Sequence, residues 1–476
     1  MHSPHILIMA AGLGTRMKSR RAKVLHELAG RSLLGHVCHT AIDLSPVQLI
    51  LIVGHQAQAV EAKIRQELQQ FAPDIEQKTK LEFVLQTEQR GTGHAVQMAE
   101  PVLAGQNGTV LVLSGDVPLV RPGTLRRLLE VHAENNFAAT VLTTDIPDPT
   151  GYGRILREAD GTFSRIVEHR DATPQQRTIP EINSGIYAFE INLLLPALAR
   201  LSPANAQGEY YLTDVLGLLK SDGHRVGIVL HSPPEEVLGI NSRIELAETG
   251  ARLRQETLRH LMRQGVTIVD PASTFIDADA QIGMDTVIYP NVTIEGPTII
   301  GEECVINPGA RLVNARLGNK VTVRDYSLVF DSTLEDNTSI GPFAHLRMGA
   351  QIASNAVVGN FVEVKKSTLG PGSKAMHLTY LGDATIGSKV NIGAGTVTCN
   401  YDGKNKHATI IEDGVKIGSD TMLVAPVRVG KNSVTGAGSV VTRDIPDHSL
   451  AAGVPATVKK TFPSDPLAGE HSQTKD

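Results

Sequence analysis

Two groups of residues in this 476-residue chain have the types and spacing to handle phosphorylated molecules. The first follows a short aliphatic run and reads Met9-Ala10-Ala11-Gly12-Leu13-Gly14-Thr15-Arg16-Met17, with Lys23 shortly after. Small side chains and two glycines let main-chain N–H groups approach phosphate oxygens, and Arg16 and Lys23 balance the remaining negative charge. The loop lacks the Gly-Lys-Ser/Thr of a Walker A and the third glycine of a dinucleotide fingerprint, and a turn of this kind also serves purely structural ends. Further on, Val110 to Leu113 runs into Ser114-Gly115-Asp116-Val117-Pro118. That sets a carboxylate at the end of a strand, where Mg2+ can bridge it to phosphates, although a lone Asp there also forms turns and caps.

The second group interrupts a repeat. From about Ile276 to Ile445 an aliphatic residue recurs every sixth position, often followed by Gly, as in Ile282-Gly283, Ile340-Gly341, Ile386-Gly387 and Ile417-Gly418. A helical face repeats every 3.6 residues and a half-buried strand every two, so a sixfold period demands wall, corner and wall again, a parallel β-helix. One coil takes about 18 residues, which predicts about nine coils and a rod of roughly 45 Å. The fold does not require His345, Arg347, Lys365-Lys366, His377, Tyr380, Asn391, Asn400-Tyr401 or Lys406. Arg347 and Lys365, one coil apart, should stack on one wall; two cations so placed suit a shared anion, with a solvated charge ladder as the alternative. An imidazole such as His377 has the intrinsic pKa of a general base near neutrality. The stretch from Thr398 to Thr409 breaks register, as an insertion at one corner would.

Positioning these residues takes two different architectures. Before residue 230, aliphatic runs at Ile6–Met9, Leu49–Val53, Leu81–Leu85, Val110–Leu113 and Ala139–Thr143 read as buried strands. They alternate with helical stretches at Leu33–Leu44, Ala57–Phe71 and Thr124–Asn135. This predicts an α/β, doubly wound, Rossmann-like domain with a mostly parallel sheet and ligands at the carboxyl ends of its strands. Asn241 to Gln264 reads as a connecting helix with Ile244, Ala247, Ala251, Leu258 and Leu261 on its apolar face, and the polar stretch after residue 460 as a disordered tail. The expected units are therefore 1–239, a linker helix over 240–265, a β-helix over 266–460 and a tail over 461–476. A net charge of -5 with mixed signs gives no reason to expect nucleic acid or membrane as partner. Cys38, Cys304 and Cys399 are scattered without metal-ligand spacing, which suggests free thiols in a cytoplasmic protein.

Together the motifs resemble one family closely. The opening loop, Lys23-Val24-Leu25, Gln86 with Gly91-Thr92-Gly93-His94-Ala95, Gly115-Asp116-Val117-Pro118, Gly151-Tyr152-Gly153-Arg154, Ile166-Val167-Glu168 and Glu181-Ile182-Asn183-Ser184-Gly185 look like the sugar nucleotidyltransferases. Followed by hexads, they resemble the bacterial bifunctional N-acetylglucosamine-1-phosphate uridylyltransferase/glucosamine-1-phosphate N-acetyltransferases, over residues 5 to 445. The resemblance implies a left-handed β-helix and a homotrimer. It implies acetyl transfer from acetyl-CoA to glucosamine 1-phosphate, then UMP transfer from UTP to give UDP-N-acetylglucosamine for peptidoglycan and lipopolysaccharide synthesis. On matching positions, Met9, Ala10, Ala11, Gly12, Gln86, Gly91, Thr92, Ser114 and Gly115 would hold the uridine nucleotide, with Arg16 and Lys23 neutralising charge. Gly153, Glu168 and Asn183 would hold the sugar; Asp116 and Asn241 would carry Mg2+. At the other site His377 would be the base, Arg347, Lys365 and Lys406 would grip the phosphate of glucosamine 1-phosphate, and Tyr380 and Asn391 would orient it. Ala394, Asn400, Tyr401, Ser419 and Ala437 would contact acetyl-CoA.

Two departures stand out. Met348 follows Arg347 where the family often has Pro, and Ala451-Ala452-Gly453-Val454-Pro455-Ala456 lacks the arginine that commonly meets the coenzyme's phosphates. Lys431, Arg443, Lys459 and Lys460 are the alternatives. Two other readings stay open: a nucleotidyltransferase whose β-helix only oligomerises or regulates, and a thymidylyltransferase fused to an acetyltransferase.

Overall fold

In the computed structural model, residues 3–462 are described, and the chain divides into two compact units, Met1–Leu253 and Arg254–Asp476. The expected tail lies outside the described residues from position 463 onward.

The first unit is built on a nine-stranded sheet. Its main path runs Val226–Leu230, Ala139–Asp145, Glu181–Glu190, Thr109–Ser114, His5–Ala10, Gln48–Val53 and Lys80–Leu85. Only the Glu181–Glu190 strand runs antiparallel to its neighbours on this path. Alternate residues of the central strands bury into separate clusters on the two faces: Ile6 and Ile8 with Leu49 and Leu51, and Leu7 with Ile50 and Val112. Such strands need apolar residues at every position, which is why they read as continuous aliphatic runs. The Lys80–Leu85 strand is the exception to the expected burial. It is half-buried because it lies at the sheet edge and pairs with one strand only.

The second unit is the parallel β-helix. Three walls of 12, 10 and 9 strands begin at Thr267, so the rod starts earlier and contains more turns than the hexads suggested. Phe275 faces Thr293, 18 residues on, and Ile299 faces Arg316, 17 on. The inward aliphatics Ile294, Leu312, Val329, Leu346, Val364 and Leu381 stack in one fully buried column. Small polar residues fill the corners beside them, with their hydroxyls satisfied by the adjoining coil. Ser373 Oγ donates to the Gly387 carbonyl at 2.7 Å and accepts from Val390 N–H at 2.8 Å. Where Ala384 pairs with Thr409, 25 residues on, the coil carries the expected insertion, closed by a bridge between Tyr401 and Lys406.

The connecting helix spans Arg243–Arg263. Its inward side differs from the expected one: Leu258 and Leu261 are buried, but Ile244 is 71% exposed and Ala247 and Ala251 are exposed too. Leu246 and Leu253, one heptad apart, form the packed face near its start. The three cysteines are free thiols, and no helix among the described residues is long and apolar enough to cross a membrane.

Coil contact is close enough that Gly359 has no room for a side chain: a Cβ would lie 2.0 Å from the Met376 carbonyl oxygen. Gly359→Ala should cost about 3 kcal/mol or more. Gly217, inside the Thr213–Ser221 helix with open space around it, should gain roughly 0.5–1 kcal/mol on replacement by Ala. Calorimetry should register a lowered unfolding temperature for the first variant and an unchanged or raised one for the second.

Candidate active sites

The first site lies at the carboxyl ends of the parallel strands. A cavity of about 420 Å3 is lined by Met9, Ala10, Ala11 and Gly12 after the first strand, and by Ser114 and Asp116 at the end of the fourth. Lys23, Gln86, Gly91 and Thr92 complete the expected set, and Gly115 is held there by its N–H bond to the Met9 carbonyl. Gly14 has φ 61°, and a Cβ on it would meet the Lys23 Cβ at 2.5 Å, so glycine is what lets the loop cross that side chain. Lys23 Nζ contacts the Asp116 carboxylate and donates to Asn241 Oδ1 at 2.8 Å. Two oxygen donors from distant segments thus converge on a point already chosen by a cation. The Gln86 amide N–H2 donates to the Gly91 carbonyl at 3.2 Å and meets His94 Nδ1 at 3.1 Å.

Arg16 is not in the cavity wall. It is exposed on the Thr15–Met17 turn. Gly153, Glu168 and Asn183 form a separate cluster. Asn183 N–H donates to the Gly153 carbonyl at 2.9 Å, and a Cβ on Gly153 would lie 3.4 Å from both Glu168 carboxylate oxygens. Tyr187 pairs with Val112, so the preceding part of its antiparallel strand extends beyond Ser114 toward Asp116. Burial pushes the Glu168 carboxyl above the usual carboxylate range, against a hydrogen bond from Thr213 that lowers it. Gln89 and Glu209 also line the cavity, and Gln89 Nε2 donates to the Ala11 carbonyl at 2.6 Å. Neither carried a sequence signal beyond the proximity of Gln89 to Gln86.

The second site is on the rod. Arg347 and Lys365 are in register on one wall, as expected, but each has a carboxylate of its own. Arg347 Nη2 lies 2.6 Å from Glu363, and Lys365 Nζ lies 3.8 Å from Asp383. The repulsion that suggested a shared anion is therefore already partly relieved. Asp383 is shared by Lys366 at 3.8 Å and by Asn400 Nδ2 at 2.6 Å. Lys406, delivered by the insertion, comes beside Lys365, whose ammonium pushes the Lys406 pKa below the usual lysine range. Four cations against two carboxylates leave a surplus of two positive charges, enough for a phosphate monoester dianion. Tyr380 folds over Gly382: a Cβ there would contact its hydroxyl.

His377 stands exposed at the corner before this wall, and its Nδ1 lies 2.7 Å from Asn360 Oδ1. A carbonyl oxygen can only accept, so the neutral ring carries its proton on Nδ1 and offers Nε2 as a base. Asn360 pairs with His377 in the wall, and the registers Ala375 with Ile392, Ile392 with Ile417 and Lys416 with Val434 place Ala394, Ser419 and Ala437 above it, one per coil. Asn391 does not join this group within one chain. It pairs with Lys374, at the opposite end of the strand from His377, about 10 Å along the wall. Tyr401 is 61% exposed. Asn360, Glu363 and Asp383 were not singled out from the sequence, yet the 17-residue step from Asn360 to His377 is one coil.

Comparisons with known proteins cover both units. Residues 5–231 match the family model of nucleotidyl transferases, and residues 279–314 and 408–443 match the bacterial transferase hexapeptide (six repeats). Among curated proteins, the chain is 49% identical over 451 residues to the "Bifunctional protein GlmU" of Heliobacterium modesticaldum, covering 95% of each chain. It is 48% identical over 445 residues to that of Exiguobacterium sibiricum, covering 94% of this chain and 96% of the relative. The protein of the same name in Shouchella clausii is 46% identical over 454 residues, covering 95% and 97%.

Loss of the Asn360 carbonyl should release the imidazole to the Nε2–H tautomer that a free ring favours. Nitrogen chemical shifts of His377 in Asn360→Ala would read this; an unchanged Nδ1–H form would mean that Asn360 does not set the tautomer.

Proposed function

This chain belongs to the family of the bifunctional GlmU proteins, and from that premise we propose how its own residues divide the work. It is a uridylyltransferase and an N-acetyltransferase, with a nucleotidyltransferase domain and a left-handed β-helix of hexapeptide repeats. It acetylates glucosamine 1-phosphate and then forms UDP-N-acetylglucosamine, the cell-wall precursor. We assign UMP transfer to residues 1–239 and acetyl transfer to 266–460, with 240–265 as linker.

In UMP transfer, an oxygen of N-acetylglucosamine 1-phosphate attacks the α-phosphorus of UTP, and the bond to the β-phosphate oxygen breaks to release pyrophosphate. The nucleophile is already an anion, so no base is required, and positioning with charge neutralisation supplies the catalysis. Main-chain groups of Ala10 to Gly12 and the Lys23 ammonium receive the phosphates. Gln86, its N–H2 committed within the protein, keeps a carbonyl oxygen for the imide N–H of uracil. Arg16 meets the outer phosphates from the rim. Gly153 leaves space over Glu168, and Glu168 and Asn183 take the sugar. Asp116 and Asn241 would hold Mg2+: both point oxygens at one position that already favours a cation, and a hard divalent ion takes oxygen ligands. When bound, the ion supplies further neutralisation of the phosphate oxygens.

In acetyl transfer, the 2-amino group attacks the thioester carbonyl while His377 Nε2 takes the amine proton; the C–S bond breaks, and the imidazolium returns the proton to the departing thiolate. The surplus positive charge around Lys365, Lys406 and Arg347 holds the sugar phosphate, with Tyr380 beside it. The observation that carries this reading is the single column joining His377 to Ala394, Ser419 and Ala437, which gives acetyl-CoA a track ending at the base. Asn400 and Tyr401 border it from the insertion. A homotrimer is part of the proposal. Asn391 stands away from His377 in one chain, and Tyr326, Phe343 and Phe361 form an exposed stack with 5.4 Å between successive rings, an apolar surface suited to a second rod. UTP and acetyl-CoA as substrates, with free thiols, favour the cytoplasm, with neither nucleic acid nor membrane as partner.

His377→Ala should lower acetyl transfer by about 10²–10⁴-fold and leave UMP transfer intact. Lys23→Ala should do the reverse, reducing pyrophosphate release by on the order of 100-fold. Separate assays of the two products test both; acetylation at the parent rate in correctly assembled His377→Ala would remove its assigned role. Because the Glu168 pKa is raised, its carboxylate is lost at a higher pH than in a solvated glutamate. The KM for N-acetylglucosamine 1-phosphate should therefore rise as pH falls through that value, and Glu168→Gln should flatten this part of the profile.

A further inference from the structure

We propose that Ser242 and Glu245, which cap the connecting helix, are positioning residues for the divalent metal ion of UMP transfer and act through Asn241. This deepens the uridylyltransferase reading and rests on its assignment of Asp116 and Asn241 as ligands. The run Asn241-Ser242-Arg243-Ile244-Glu245 puts a serine immediately before the helix Arg243–Arg263 and a glutamate at its third position, the pattern of a capping box. Both halves of the box are formed. Glu245 N–H donates to Ser242 Oγ at 3.2 Å, and Glu245 Oε2 accepts from Ser242 N–H at 3.3 Å. The same carboxylate oxygen reaches one residue further and accepts the N–H of Asn241, which lies outside the helix. A capping box ordinarily stops at the N-cap residue; this one extends to the backbone of the proposed ligand.

The surroundings of Asn241 show what that hold achieves. Asn241 Nδ2 donates to the Gly239 carbonyl at 3.2 Å, which orients the amide so that Oδ1 is the atom presented to Lys23 Nζ, 2.8 Å away. Just before it, Ile240 N–H donates to the Asp116 carbonyl at 2.9 Å, and a Cβ on Gly239 would lie 3.2 Å from both Asp116 carboxylate oxygens. The stretch 239–241 is thus pressed against one ligand while it delivers the other, and the capping box fixes its far end. Arg243 Nη1 meets His26 Nδ1 at 3.2 Å, so the first turn of the helix also touches the segment that follows Lys23. Charge gives a second reason for the glutamate. A helix N-terminus carries roughly half a positive charge, which opposes a divalent cation bound beside it, and the Glu245 carboxylate offsets that charge where it arises. One effect favours the metal by geometry and the other by electrostatics.

The test is Mn2+ binding to the full chain in the presence of UDP-N-acetylglucosamine, read without turnover from the paramagnetic resonance of free Mn2+. Removing a residue that holds a metal ligand commonly weakens affinity by about 10- to 100-fold, so the Mn2+ Kd should rise about tenfold or more in Glu245→Ala and by a smaller factor in Ser242→Ala. Glu245→Gln keeps an acceptor oxygen and loses the charge, and its Kd should lie between those of the parent and Glu245→Ala. Glu248→Gln, which changes an exposed acid further along the same helix, should bind Mn2+ as the parent does. In UMP transfer the Mg2+ concentration for half-maximal rate should shift in the same order, and excess Mg2+ should recover the rate. A cap that serves only the helix would lower the unfolding temperature and leave the Kd alone. A Kd unchanged in both Glu245 variants, an equal rise in Glu248→Gln, or a loss of rate that excess Mg2+ does not recover would overturn the proposal. Unaltered Mn2+ binding in Asn241→Ala would instead remove the underlying ligand assignment, so the two failures are distinguishable.

Discussion

The second unit depends on one constraint: each coil must bring its inward aliphatic back over the one below. Coils of 17 and 18 residues both meet it, because residues removed or added at a corner leave the walls in register. The consequence is geometric amplification. Any two residues one coil apart become neighbours about 4.8 Å away, so side chains distant in sequence are fixed by the stiffness of the whole stack. A catalytic group on such a wall needs little local support. Asn360 and His377 meet because Val358 and Ala375 stack beneath the surface, not because anything between them folds specially. Even the eight-residue detour from Asn400 to His407 leaves the core in register, since Ile386 and Ile411 still pair across it.

In both sites the protein pre-empts its own charges. Lys23 rests on Asp116, and Lys365 and Arg347 rest on Asp383 and Glu363. Without those carboxylates, clustered cations would repel and disorder, as the lowered pKa of Lys406 beside Lys365 illustrates. Too complete a balance would leave nothing for substrate. The rod keeps an excess of positive charge near Lys406, and the cavity of the first unit keeps oxygens aimed at a place where a lysine now sits. Charged groups held in position before substrate arrives need little reorganisation during reaction, which is the cheapest source of rate for transfers that lack demanding covalent steps.

How much of this could be read from sequence follows from period and locality. The hexads betrayed the β-helix because their repeat is set by geometry that no helix or flat strand shares, and the break after Thr398 betrayed the insertion. The loops at strand ends were visible as short motifs because a phosphate cradle is local. The Arg347–Lys365 ladder was legible as well, but its meaning was only half so: Glu363 and Asp383, which temper it, carried no sequence signal. The connecting helix shows the limit most clearly. Its periodicity identified a helix, yet the choice of Ile244, Ala247 and Ala251 for its inner face failed, because Leu246 and Leu253 offer an equally good stripe and only the neighbouring Leu28, Leu33 and Ile240 decide between them.

Asn391 illustrates why a residue's role can be legible when its place is not. A resemblance assigns it to the sugar, but wall register within one chain leaves it near Lys374, at the far end of a strand from the imidazole. A rigid prism cannot bend to close that gap, since shifting one coil would break inward stacking along the rod. Either the residue serves the site across a packed neighbour, or it does not serve it. The exposed Tyr326, Phe343 and Phe361 stack favours the first, for it ends one coil below Leu378, the residue that follows His377, and so brings any rod packed on it to the edge of the same site. On the proposed reading, the stiffness that would fix the base in one chain also calls for a second chain to complete the pocket.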